Sequence, residues 1–339
     1  MTLRQRLLVG GMLNQMRLTP SITNQNLEDY KYLMTSVFDP NTQVAKPRYH
    51  GVRRLSMAFS YFLNRLRELN EAGEPRYQVN DVEGLLDKLN TATLVKIDVA
   101  SHADAFTLFE TLNNRGEPLS AIDLIKNKLL GTLQRVGGEH TIEEDFERWN
   151  RVLTNLTDDY QVQERFLRQF YNAFKHEPDI GVPRIPKALR SNVIRVYEEL
   201  IDRDVERIFA RLEEASAIYA KNINPQEMES ASQPLARVLK DLENVTGADA
   251  YMLLLFIERR FRISEGEKIK LVQLLCRYFI RRNITDSPPT RDLTNFFMAI
   301  VDKVNALTEY SYDTVEAIIL DIGRPASDEL FAAKLRGDL

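Results

Sequence analysis

Apolar residues recur at three- and four-residue spacings along most of this 339-residue chain, and only one segment alternates convincingly. The first spacing lines one face of an α-helix and the second one face of a strand, so this chain must fold by burying helical stripes. Val52–Leu69 is the plainest stripe: Leu55, Phe59, Phe62, Leu63 and Leu66 share a face, and Gly73 and Pro75 close it. Asp81–Leu89 and Ala103–Leu112 repeat the pattern more briefly. Ser120 reads as an N-cap, with Asp123 in the capping-box position, for a helix over Ala121–Leu133. From Thr141 onward the spacing predicts helices alone. They cover Glu143–Leu156, Gln161–Phe174, Pro186–Ile201, Asp204–Ala220, Gln233–Glu243, Ala248–Phe261, Glu267–Arg282, Thr290–Asn305 and Thr314–Leu320. The alternating segment is Thr93–Val99, where Val95, Ile97 and Val99 face one way and Lys96 and Asp98 the other.

The expected fold is therefore mainly α, a multi-helix architecture with a minor strand element near 93–99. Two parts are expected, 1–138 and 139–339. Composition removes several other classes. With 44% hydrophobic and 28% charged residues the chain is neither disordered nor fibrous. One cysteine, Cys276, excludes an internal disulfide and a cysteine-cluster metal site, and its place in an apolar pattern reads as a small buried hydrophobe. The longest apolar run, Ala250–Ile257, falls well short of the roughly 20 residues of a membrane helix, so no membrane partner is expected. Met1–Gln15 carries Arg4, Arg6 and the apolar stretch Leu7–Leu13, but no small-residue cleavage site; it reads as an ordinary first helix of a cytoplasmic protein.

One polar break stands out for its chemistry. Between two helical patterns lies Asn113-Asn114-Arg115-Gly116-Glu117-Pro118-Leu119-Ser120. Asn tolerates left-handed backbone, Gly permits close approach, and Pro118 stiffens the entry to the next helix. Such a loop can leave backbone N–H groups free to hold an anion beside a helix start, with Arg115 as a forked donor. Equally, it can be a helix-to-helix turn whose Asn and Arg side chains cap neighbouring carbonyls.

The run Phe109–Ser120, followed by Asp123-Leu124-Ile125-Lys126-Asn127, resembles an internal motif of the GmrSD-type restriction endonuclease N-terminal domain family. That motif reads Phe-x-x-Leu-Asn-x-Arg-Gly-x-x-Leu-Ser and leads into a helix containing Leu-Ile-Lys. Ala248–Arg262, Arg277–Asn283 and Thr290–Phe297 resemble the family's later helical segment more loosely, and Arg17–Val37 is compatible with its opening. The resemblance implies a role in type IV, modification-dependent restriction, which is anti-phage defence. It assigns Asn113, Asn114, Arg115, Gly116 and Lys126 as candidates for nucleotide or anion binding. The family pattern also includes a ParB-like module with Asp-Gly-Gln-Gln-Arg and a His-Asn-His nuclease module. Neither motif occurs in this sequence, and His50, His102, His140 and His176 are too scattered to form the second. The reading is of a truncated product, a split subunit, or a member whose module is encoded elsewhere. No residue is nominated as catalytic or metal-binding. An NTP with Mg is expected only if the missing module is supplied, and the expected partners are DNA, that module or a nuclease subunit.

Charge adds a second candidate surface. Arg259–Arg291 contains nine basic residues and three acids, a local +6 within a chain of formal charge −4. Arg259, Arg260, Arg277, Arg281 and Arg282 are candidates for DNA phosphate contacts, with Arg277 and Arg281 four apart on one helix face. The same arginines also suit helix C-termini, where the helix dipole favours cations. The alternative to a DNA-linked role is an all-helical protein-interaction scaffold.

Overall fold

The computed structural model describes residues 8–9, 12–16, 26–43, 54–93, 120–137, 140–157, 159–224 and 232–337. The chain divides into two compact units, Met1–Ala105 with Glu143–Asn150, and Phe106–Ile142 with Arg151–Leu339. Fourteen helices occur among the described residues, so the fold is mainly α as the periodicity requires. The segment expected as a strand lies outside the described residues beyond Thr93.

The first unit begins with a correction. Met1–Gln15 is not a first helix: β1 (Leu8–Val9) pairs antiparallel with β2 (Met12–Met16), Val9 opposite Met12 and Leu8 opposite Met16. Gly10-Gly11 stands between them in sequence, and each glycine costs a helix about 1 kcal/mol relative to alanine. Next come α1 (Asn26–Phe38), α2 (Arg54–Leu66) and α3 (Val79–Asn90). A buried polar tie joins α1 to the start of α2. The Asp29 carboxylate, fully buried, accepts the Ser56 N–H at 2.8 Å and the Ser56 hydroxyl. Many apolar side chains of α2 and α3 remain in solvent, among them Met57, Phe59, Tyr61, Phe62, Leu85 and Leu89.

The second unit opens with α4 (Ala121–Val136), capped as the sequence predicts. Ser120 Oγ accepts the Asp123 N–H at 3.3 Å and donates to the Asp123 carboxylate at 2.5 Å. Its apolar face, Ile122, Ile125, Leu129, Leu130 and Leu133, is buried. The chain continues through α5 (Ile142–Leu156), of which Glu143–Asn150 belongs to the first unit, and then α6 (Tyr160–Phe174), α7 (Val193–Arg203) and α8 (Val205–Ile223). Next are α9 (Gln233–Asn244), α10 (Ala250–Arg260) and α11 (Glu265–Thr285). The last three are α12 (Thr290–Asn305), α13 (Tyr312–Gly323) and α14 (Asp328–Arg336).

Two helices form the core of this unit, α10 buried on nearly all sides and α6 over its second half. On α6, Phe166, Leu167, Phe170, Tyr171, Ala173 and Phe174 are inside; on α10, every residue from Ala250 to Ile257 is. Aromatic contacts run along their junction, Phe166 to Phe170, Phe170 to Phe174, and Phe174 to Phe256 at 5.9 Å. The buried amide of Gln169 is satisfied at both ends, accepting from Tyr219 Oη and donating to the Ala248 carbonyl, each at 2.8 Å. Such a core can tolerate a polar group only when it is paired in this way.

Helix α7 starts later than the expected Pro186, at Val193. Side chains hold the intervening residues instead. Asn172 Oδ1 accepts the Ala188 N–H at 2.8 Å, and Asn192 Oδ1 accepts the Leu189 N–H at 2.6 Å. These bonds give the backbone an alternative to the helical ladder, a role suited to Asn.

Gly181 sits where a side chain has no room: a Cβ there would lie 2.5 Å from the Lys175 carbonyl oxygen, whereas one on Gly266 at the start of α11 meets nothing. Gly181→Ala should cost roughly 1–3 kcal/mol through overpacking. Gly266→Ala should be neutral or stabilise by about 0.5 kcal/mol. Urea midpoints for the two variants check the contrast.

Candidate nucleic-acid and anion interface

Asn113, Asn114, Arg115 and Gly116 lie outside the described residues. Lys126 is described, on the second turn of α4. It is partly buried, and burial pushes its ammonium below the usual lysine range while nearby Asp123 pulls the other way. Two residues on, Lys128 pairs with Asp202 at 2.7 Å.

The five arginine candidates have different surroundings. Arg259, in the last turn of α10, is mostly buried: it donates to Glu177 at 2.8 Å and to Glu214 at 3.3 Å, with its guanidinium 4.9 Å from the Phe174 ring centre. Arg211 of α8 lies near the same ring and joins Glu177 from the other side, so one carboxylate bridges two arginines. Burial lowers the Arg259 guanidinium and raises the Glu214 carboxyl, the signs expected where charges have left water. Arg281 donates to the Ala326 carbonyl at 2.8 Å and pairs with Asp328, and the Phe331 ring of α14 lies under it at 5.0 Å. Arg282 binds the Pro288 carbonyl, Asp286 and Thr290, closing the turn between α11 and α12.

Arg260 and Arg277 are exposed. Arg260 stacks beside Phe261 at 5.4 Å, and Arg277 stands near Tyr312 of α13. Arg277 and Arg281 are four residues apart, yet α14 engages only Arg281. Lys270, seven residues before Arg277 and on the same face of α11, is exposed too. Sequence spacing ranked Arg281 with Arg277 and passed over Lys270. The exposed positions of α11 (Lys270, Gln273, Arg277, Ile280) carry the face, a period readable only once the covered side is known.

His176 is exposed and its Nε2 lies 2.6 Å from Asp302 Oδ1, a contact between the end of α6 and α12. Among the described residues no group of three or more His, Cys, Asp or Glu side chains could hold a metal ion, and no helix is long and apolar enough to cross a membrane. Cys276 is buried as expected, its thiol pushed up to about 11, chiefly by burial.

The family comparison bears on the first of the two candidate regions. Residues 14–130, roughly a third of the chain, match the model of the GmrSD restriction endonuclease, N-terminal domain. The matched segment contains Asn113, Asn114, Arg115, Gly116 and Lys126. The arginine candidates and the looser likeness over Ala248–Phe297 lie outside it. No curated protein and no solved structure matches the chain.

Arg259→Ala should destabilise the fold by roughly 1–3 kcal/mol, because Glu177 and Glu214 lose a donor and Phe174 a cation. Arg277→Ala should stay within about 0.5 kcal/mol, as befits an exposed side chain. Chemical denaturation measures both. A second expectation concerns Cys276: with its pKa raised, the thiol stays protonated at pH 8 and alkylates far more slowly in the folded than in the denatured chain.

Proposed function

We propose that this chain is a component of a GmrSD-type restriction system acting against foreign DNA, contributing nucleotide- or DNA-linked recognition and not cutting DNA alone. The observation that carries this reading is the family match over 14–130, which encloses the Asn-Asn-Arg-Gly run and the Leu-Ile-Lys helix. The family's printed description is a restriction endonuclease. This sequence contains no His-Asn-His set, so cleavage is assigned to a nuclease subunit or module acting with it. Nucleotide contact is assigned to Asn113, Asn114, Arg115, Gly116 and Lys126, and an NTP with Mg would be held jointly with a ParB-like module. DNA contact is assigned to the exposed members of the basic stretch, Arg260 and Arg277, with Lys270 beside them. Arg259, Arg281 and Arg282 support that surface by fixing helix ends and do not face DNA.

A second reading has its own support. Helices α2 and α3 leave Met57, Tyr61, Phe62, Val79 and Leu89 more than half exposed, an apolar surface of the kind that marks protein contacts. On that reading the chain is a helical interaction scaffold without a nucleic-acid role.

Duplex DNA binding measured across a salt series separates the two. The restriction reading predicts affinity that falls steeply with salt, and Arg260→Ala and Arg277→Ala should each reduce the slope by about 1. Binding that is absent at every salt concentration supports the scaffold. NTP hydrolysis and DNA cleavage assays on the isolated chain should both be negative. Robust cleavage by the chain alone would overturn the assignment of the nuclease to a partner.

A further inference from the structure

Helix α6 carries Glu164, Arg165 and Arg168 at three- and four-residue spacings on one face, close to the start of α10. Arg168 is mostly buried, and its Nε is wholly enclosed without a hydrogen-bond acceptor. Among the described residues its guanidinium makes no hydrogen bond and no ion pair. Every other buried arginine of this unit named above has a carboxylate or carbonyl in hand. Arg165 is fixed but not used up: its Nε donates to Tyr219 Oη at 3.4 Å, and its guanidinium lies 6.0 Å from the Tyr251 ring centre. Arg190, highly exposed, reaches Glu164 at 3.7 Å and adds a third cation to the group.

Two acids stand near Arg168, Glu164 and Asp249, and both favour the charged guanidinium, but neither makes a hydrogen bond or close ion pair with it. Glu164 also lies 3.7 Å from Arg190. Asp249, at the N-cap of α10, makes no ion pair among the described residues; its Oδ1 accepts the Thr294 hydroxyl of α12 at 3.1 Å. Burial raises the Asp249 carboxyl, and the charges of Arg165, Arg168 and Arg282 oppose that rise. The junction is rigid, because Gln169 ties α6 to the Ala248 carbonyl one residue before Asp249.

We infer that Arg165 and Arg168, with Arg190 at the rim, form a binding site for a phosphate group at the junction of α6, α10 and α12. A guanidinium with its Nε enclosed, its other nitrogens reaching solvent and no hydrogen-bond acceptor on any of them can take an anion, and two forks three residues apart can hold the oxygens of one tetrahedral oxyanion. The site lies outside the matched segment and is distinct from the motif loop and from the α11 face. It does not need the restriction reading; DNA and a nucleotide are two sources of the same group.

The test is a thermal-melting titration of the full chain with inorganic phosphate against chloride at equal ionic strength. Phosphate should raise the wild-type melting temperature in a saturable way. Arg168→Gln and Arg165→Gln should each weaken the apparent affinity by about tenfold or more, as expected for loss of a charge-assisted fork. In chloride alone, Arg168→Leu should melt at or above the wild-type temperature, since it removes an unpaired charge; a large drop would show that the guanidinium is already satisfied and overturn the proposal. Equal stabilisation by chloride and phosphate, or unchanged phosphate affinity in both Gln variants, would also overturn it. Parallel titrations with ATP and with a short DNA duplex identify the source, through whichever ligand loses affinity in Arg168→Gln. A positive phosphate result with no DNA binding leaves the site standing and sinks the restriction reading alone.

Discussion

The second unit depends on a single packing event, the burial of α6 against α10. Helix α10 is apolar around most of its circumference, and α6 buries its aromatic face against it. Their junction is aromatic, and aromatic rings at 5–6 Å contribute about 0.5–1.5 kcal/mol per pair beyond the area they bury. What surrounds them follows from this pair. Tyr219 of α8 reaches in to pack on Phe166 and Tyr251, and α12 lies along α10. The polar atoms carried inside, Gln169, Tyr171 and Asn172, are each bonded to backbone or side chain, so the core gains specificity without leaving orphans at those positions.

The same core decides what the basic residues do. Phe174, at the end of α6, offers its ring to two arginines, and Glu177 one turn later offers them a shared carboxylate. Arg259 is thereby drawn into the fold. Arg281 and Arg282 are drawn in by α14 and by the turn before α12. The local charge of +6 is thus an overestimate of what solvent meets, because cations in close ion pairs contribute little field beyond a Debye length of about 8–10 Å.

Periodicity made most of the helices legible. Those from α8 to α12 begin and end within a few residues of their expected limits, and Ser120, Ser232 and Ser264 accept N–H groups at helix starts. Where the reading failed, a local competitor had won. Gly10 and Gly11 broke a presumed helix, and Asn172 and Asn192 held 186–192 out of one. Helices α1 and α14 were passed over; α14 has only 9 residues and buries none of them, which leaves little apolar pattern to find. The candidate site was less legible. A sequence shows which residues are charged, but whether a guanidinium is paired is settled by elements far away, as Glu177 for Arg259 or Asp328 for Arg281.

That distinction orders the possible phosphate contacts better than charge density does. An exposed arginine such as Arg277 gives up hydration to meet a phosphate and gains little net energy for each contact, so such residues act by number and are screened by salt. A guanidinium partly out of water, as on Arg168 with its enclosed Nε, has undergone part of that desolvation during folding, and an anion beside it gains more Coulomb energy than one at an exposed arginine. The first kind of site gives reach and salt dependence; the second gives a defined position. The proposed phosphate contacts divide along that line, the exposed face of α11 being of the first kind and Arg168 of α6 of the second.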